Sequence, residues 1–184
     1  MNVAPIRDLQ AIENIKKLLS GNLRDKLLFV LGINNGLRIS DILPLKISQL
    51  KGMKVGDTLR IIEKKTKKEN VVMMNKSIFK CFQEYLESYE PNDNDYVFFS
   101  RKGSEHLCVE AVNRMIKQWC KAVGLKENYG THTLRKTFGY LQHSLFGTSS
   151  ELLCLRFNHS SPRITMTYLG ITSLDVEKIL LKEI

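Results

Sequence analysis

"TLRIIEKKTKKENVVMMN", Thr58 to Asn75, decides between an all-helical chain and a mixed one. Its flanks, "TLRIIE" and "NVVMMN", are rich in β-branched and apolar residues, as strands are. Between them "KKTKKE" is polar and strongly basic. The pattern predicts a β-hairpin whose link is longer than a tight two-residue turn. Helical spacing dominates on both sides of it, so the expected fold class is mainly α with a small antiparallel β-sheet (α+β).

Upstream, Leu9, Ile12, Ile15, Leu18 and Leu19 mark a first amphipathic helix that ends near Gly21. A second runs from about Leu23 to Asn34, with Leu27, Leu28, Val30 and Leu31 inward, and Gly36 breaks it. "RISDIL" opens a third, shorter helix, with Ser40 suited to cap it. Downstream, Ile78, Phe82, Tyr85, Leu86 and Tyr89 follow helix spacing, as do Val109, Val112, Ile116, Trp119 and Val123. "YVFFS" between them reads as a short strand. "THTLRKTFGYLQHSLFG" is a helix with a threonine N-cap, an apolar stripe of Leu134, Phe138, Leu141 and Leu145, and a stop at Gly147. "SSELLCLRF" and "SPRITMTYL" form two shorter helices, the latter opened by Pro162. Residues 173–184 hold a last helix, from Leu174 to Ile184.

The chain has 184 residues, enough for one domain with a substantial core. Twenty-eight Lys and Arg against 19 Asp and Glu give a net charge of +9 and a pI near 9.4. That is the electrostatic footprint of a nucleic-acid binder, although anionic membranes and acidic partners attract the same excess. Cys81, Cys108, Cys120 and Cys154 form neither a CxxC pair nor a zinc spacing. Most sit in apolar runs and read as reduced core thiols. With no signal peptide and no long apolar span, the expected location is the cytoplasm.

Four stretches carry side chains suited to chemistry on a phosphate. In "HTLRK", His132 and Arg135 are three residues apart and point to nearly the same helix face. The apolar stripe starting at Leu134 turns both off the core axis. An arginine there offers a planar fork for phosphate, and a histidine exchanges protons near neutral pH. The bland alternative is a solvated helix face. In "GLRISD", Arg38 follows a glycine-ended helix, and Asp41 is placed to orient its guanidinium or to form a weak surface pair with it. Two arginines from distant segments would make an anion clamp. The hairpin turn holds Lys64, Lys65, Lys67 and Lys68, read either as solvated charges and backbone contacts or as the source of a general acid. In "NHSSPRITMTY", a polar turn followed by two helical turns returns Tyr168 towards His159. A tyrosine hydroxyl, with a pKa of ~10, needs a base or cationic neighbours to attack anything. Otherwise Tyr168 simply packs its ring beside Met166 and Leu169.

Taken in order, "GLRISD", a hairpin lysine, "HTLRK" and "NHSSPRITMTY" resemble the tyrosine recombinase (phage integrase) family, over nearly the whole chain from the first helix through Tyr168. The resemblance implies a site-specific DNA recombinase or integrase that acts on double-stranded DNA. Arg38 and Arg135 would grip the nonbridging oxygens of the scissile phosphate. Lys65 would protonate the leaving 5′-oxygen; counting back from the second strand and the "KT" pairing favour it over Lys64 and Lys67. His132 would act in proton transfer, His159 would hydrogen-bond the phosphate, and Asp41 would support the site. Tyr168 would attack phosphorus and form a 3′-phosphotyrosyl link, with neither ATP nor a metal or other cofactor. Lys64, Lys67, Lys68 and Lys136 would contact the DNA. His106 and His143 match no motif.

Asn158 stands where many members have glycine, and "VVMM" where a proline is common. Most members carry a separate core-binding domain before this part. Only about 20 residues precede the second helix here, too few for one. The expectation is therefore a single catalytic domain over residues 1–184, similar to the single-domain fimbrial-switch invertases or to an excised catalytic domain. The last helix suits packing on a neighbouring protomer and on its own domain equally. A homo-oligomer, tetrameric on DNA, is expected, with a monomer in solution as the alternative, in a bacterial or phage-encoded and nucleoid-associated protein. The alternatives are a noncatalytic DNA-binding remnant of an integrase and a type IB topoisomerase-like activity.

Overall fold

In the computed structural model, which describes residues 3–171 and residue 181, the hairpin forms as its sequence predicts. β1 (Thr58–Ile62) pairs antiparallel with β2 (Glu69–Met73), Thr58 opposite Met73 and Ile62 opposite Glu69. This register puts Leu59, Ile61 and Val72 on one face. That face packs on the helical core, with Val72 fully buried.

The helices are α1 (Leu9–Leu18), α2 (Leu23–Asn35), α3 (Ile39–Ile42), α4 (Ile47–Leu50), α5 (Lys76–Tyr89), α6 (Val109–Ala122), α7 (Thr131–Phe146), α8 (Ser150–Phe157) and α9 (Pro162–Leu169). Leu27, Leu28, Phe29, Val30 and Leu31 of α2 are all buried. A helix that is apolar all round belongs at the centre, and α2 packs there against α5 and α7. One large apolar cluster joins α1 to α7 and the hairpin. A second, small cluster of Leu153, Phe157 and Leu169 holds α8 and α9 together.

Several local expectations change. Arg38, not Ser40, precedes α3, and Ser40 lies inside the helix. Gly130, not Thr131, precedes α7, and its N–H donates to Thr133 Oγ1 at 3.0 Å. "YVFFS" is not a strand. Tyr96 and Phe99 make isolated bridges to Lys46 and His106, with Val97 and Phe98 buried in the turn between them. An apolar run marks burial, and a buried turn satisfies that as well as a strand does. All four cysteines are free; Cys81, Cys120 and Cys154 are buried, but Cys108 is exposed. Its Sγ instead accepts the N–H of Ala111 at 3.4 Å, capping α6. Apart from residue 181, the last helix expected from Leu174 lies outside the described residues.

Candidate active site

The end of α2 sets the first arginine. Gly36 takes a left-handed conformation, φ 60°, and the Phe138 ring occupies the space that a Cβ would need. Only glycine meets both demands. The turn delivers Arg38 to the start of α3. Asp41, expected to orient that guanidinium, does something else: its Oδ1 accepts the Lys64 backbone N–H at 2.9 Å. Arg38 Nη1 donates to Glu63 Oε2 at 2.6 Å. Glu63 is fully buried and also accepts from Asn70 Nδ2 at 2.8 Å.

Helix α7 carries the second group. Arg135 does not sit off the core: it is only 2% exposed. Its Nη1 donates to Gly36 O and its Nη2 to Phe157 O, both at 2.8 Å, and its guanidinium carbon lies 4.5 Å from the Phe157 ring centre. Contacts with α2, α6 and α9 surround α7, so much of its polar face is covered too. Lys136, expected to reach DNA, is 3% exposed. Its ammonium lies 4.9 Å from the Tyr168 ring centre, within cation–π range. His132 keeps one side open to solvent while the rest of its ring is desolvated by its neighbours.

The nucleophile candidate arrives on α9. Asn158 ends α8 in the left-handed region, φ 52°, which asparagine tolerates better than other side chains. Ser161 caps α9 with Pro162 in the first turn. Gly139 of α7 lets this pair approach; a Cβ there would stand 2.6 Å from Leu169 and 2.7 Å from Phe157. His159 and Tyr168 meet as their spacing predicts, with ring centres 5.2 Å apart. The His159 Nδ1 lies 3.0 Å from Thr165 Oγ1. The Tyr168 hydroxyl lies 3.1 Å from His132 Nδ1.

Arg38, Lys65, His132 and Arg135 line one cavity of about 160 Å³, with Ser40, Val109 and Thr131. Residues from four separate segments thus converge on one space. Tyr168 and His159 are not among the cavity's walls; the His132 imidazole links Tyr168 to it. Lys64, Lys67 and Lys68 stay exposed on the turn.

The electrostatics fit an acceptor of negative charge. Burial, then the charges of Arg135, Arg38, Lys65 and Lys136, hold the His132 imidazole below its ordinary pKa. Burial and the same two arginines bring His159 down to about 4. Both rings are therefore neutral at pH 7. Burial brings the Arg135 guanidinium down to about 10, still charged at that pH. Burial pushes the Tyr168 hydroxyl up to about 12, against the opposing pull of Arg135 and Arg38. Cationic neighbours alone do not make it a phenolate, so proton removal has to accompany attack. A neutral His132 with Nδ1 unprotonated accepts that proton at the observed distance.

Glu63, Asn70, Arg156 and Phe157 have no place in the sequence reading. Arg156 donates from Nε to Asn35 O at 2.9 Å, from Nη1 to Asn70 Oδ1 at 2.6 Å and from Nη2 to Val71 O at 3.0 Å. It ties β2 to the end of α2. The only hints are a lone arginine in the apolar run "LLCLRF" and a lone acid before the lysines of the turn.

Comparison with known proteins gives the family. The model of the phage integrase family matches residues 7–173. The probable integrase/recombinase YoeC of Bacillus subtilis is 42% identical over 170 residues, which cover 92% of this chain and 90% of that protein. The tyrosine recombinase XerA of Pyrococcus horikoshii is 28% identical over 166 residues, 88% of this chain but 56% of its own. Among solved structures, the recombinase XerH in a post-cleavage complex with its difH substrate superposes with a TM-score of 0.77 at 21% identity, over 98% of this chain and 53% of that one. A lambda integrase tetramer bound to a Holliday junction gives 0.68 at 17% identity, over 91% and 48%. The chain thus spans nearly all of the Bacillus relative and about half of these longer proteins. On a match that runs from the first helix past Tyr168, this chain belongs to the phage integrase family.

Proposed function

We infer that the chain is a tyrosine-type site-specific DNA recombinase, which cleaves and rejoins DNA strands through a 3′-phosphotyrosyl intermediate. The observation that carries this reading is the Tyr168 hydroxyl 3.1 Å from Nδ1 of His132, a residue that lines one cavity with Arg38, Lys65 and Arg135. In this mechanism the scissile phosphate occupies the cavity. Arg38 and Arg135 hold its nonbridging oxygens, since Arg135 has more N–H donors than its two carbonyl partners use. Tyr168 Oη bonds to phosphorus while His132 takes its proton. The bond from phosphorus to the 5′-oxygen breaks, and Lys65 protonates that oxygen. His159, with Nδ1 against Thr165, offers Nε2 to the phosphate. A 5′-hydroxyl from a second strand then reverses the step. The phosphotyrosyl link retains the bond energy, so the exchange consumes no nucleotide.

The partner is double-stranded DNA, which suits the net charge of +9. The XerH and lambda integrase structures hold DNA, the latter as a dimer and as a tetramer. By analogy this chain assembles as a homo-oligomer on its site, with the matched residues acting as one catalytic domain. Its workplace is the compartment that holds bacterial or phage DNA. Among the described residues no helix is long and apolar enough to cross a membrane. In this reading the exposed Lys64, Lys67 and Lys68 meet the DNA backbone, and Lys136, 4.9 Å from the Tyr168 ring centre, supports that ring.

A suicide duplex nicked beside the cleavage point tests the reading. The wild type is expected to form a covalent protein–DNA adduct, and Tyr168→Phe to form none while binding DNA normally. An inert wild type would favour a DNA-binding remnant. Plasmid relaxation without recombinant product would favour a topoisomerase.

A further inference from the structure

Lys65 sits on an exposed turn, where a lysine has no fixed place of its own. Both of its neighbours are nevertheless held. The Lys64 N–H donates to Asp41, and the Thr66 hydroxyl donates to Glu63 Oε2. That same oxygen accepts Arg38 Nη1 at 2.6 Å. The other, Oε1, accepts Asn70 Nδ2, and Asn70 Oδ1 accepts from Arg156, which is anchored on the Asn35 carbonyl. One carboxylate thus joins the first arginine, the tip of the hairpin and the end of α2.

Glu63 is 0% exposed. A buried carboxylate is costly unless its oxygens are fully paired. Among the described residues the Glu63 carboxylate accepts from Arg38 and from Thr66 and Asn70 of the hairpin. A carboxylate placed for stability alone would not need to face a cation that the phosphate also engages.

We propose that Glu63 is a positioning residue for strand cleavage: it fixes the Arg38 guanidinium and, through Thr66, the hairpin tip, so that Arg38 and Lys65 meet one phosphate in a set relation. The proposal rests on the recombinase reading above. Binding at Arg38 and protonation by Lys65 are then coupled through one side chain that touches no DNA.

The test uses the full chain and a nicked duplex built on the sequence that the wild type enriches from a random duplex library. The scissile linkage is mapped from the wild-type adduct and made in two forms, one with the ordinary 5′-oxygen and one with a 5′-bridging sulfur that leaves without a proton. Glu63→Gln keeps the shape and removes the charge. It is expected to slow adduct formation on the oxygen substrate about 100-fold, the scale of a misplaced reacting group. The sulfur substrate should recover part of this loss, because it bypasses Lys65 but not Arg38. Thr66→Val releases only the tip; its loss is expected to be about tenfold, the scale of one hydrogen bond, and sulfur should recover all of it. Placed on Lys65→Ala, it should add no further loss. Equal losses on both substrates, or unchanged cleavage in both variants, would overturn the proposal and leave Glu63 a purely structural acid. A Glu63→Gln protein that does not fold leaves Thr66→Val to decide. A wild type without an adduct overturns the recombinase reading itself, and that failure shows in the wild-type reaction alone.

Discussion

The helical core with its hairpin and the α8–α9 pair differ in how firmly each is built. The first buries a continuous apolar cluster that runs from Ile6 to Leu134. Among the described residues the second has its own smaller cluster of Leu153, Phe157 and Leu169, with Phe138, Tyr168 and Ile171 packed against it. The candidate phosphate grip, Arg38, Lys65, His132 and Arg135, belongs to the first region, and Tyr168 belongs to the second. Local stability follows buried apolar contact. Among the described residues the candidate grip therefore rests on the larger cluster and the candidate nucleophile on the smaller one, and Arg135 and Arg156 join the two.

Arg135→Ala attacks the joint between the two regions and should have the largest effect. It removes a phosphate ligand of the proposed mechanism and strands the Gly36 and Phe157 carbonyls. Adduct formation should fall about a thousandfold, and thermal or urea melts should show a loss of about 2–4 kcal/mol. Full stability in the variant would mean that the two regions are not joined there. Leu169→Ala should separate them. Leu169 is fully buried in the small cluster, and its truncation costs about 3 kcal/mol. Hydrogen exchange should quicken in α9 and stay slow in α2. Uniform quickening would make the chain one cooperative unit.

Acid should give the smallest and most graded effect, and it reads the two regions separately. In the proposed mechanism cleavage needs neutral His132, whose pKa is held below the ordinary value. The rate should thus hold at pH 7 and fall as the pH drops below the usual histidine range. Folding stability should lean on His159. The unfolded chain takes up a proton near pH 6.5, but the folded ring resists until about 4. In that window the unfolded state binds more protons, so stability is lost as pH falls from about 6.5 to about 4. Melts that are flat across the window would show that His159 is not held neutral by the fold.

Much of this arrangement is legible in the sequence because it is local. Apolar periodicity gives α2, α5 and α6, Gly36 and Gly147 mark real helix ends, and the β-branched flanks give the hairpin. Tyr168 and His159 meet because a polar turn and a short helix impose it. What escapes is decided across the chain. Arg135 reads as a surface residue because nothing near it in sequence tells that Phe157 and Gly36 enclose it. Lys136 misleads for the same reason, since the ring beside it comes from α9. Arg38 and Glu63 are 25 residues apart, whereas Asp41 is the acid that local spacing offers. The nearer acid binds the turn, and the distant one binds the arginine.

The exposed cap of α6 has a practical side. Cys81, Cys120 and Cys154 are buried, and burial pushes the first two thiols up to about 11 and about 12. Cys108 alone among the four cysteines faces solvent, and the next residue, Val109, is a wall of the cavity. The chain thus carries one addressable thiol beside a wall of the candidate site. If the proposed function holds, a maleimide dye placed there is expected to change its fluorescence when DNA binds, with no residue replaced.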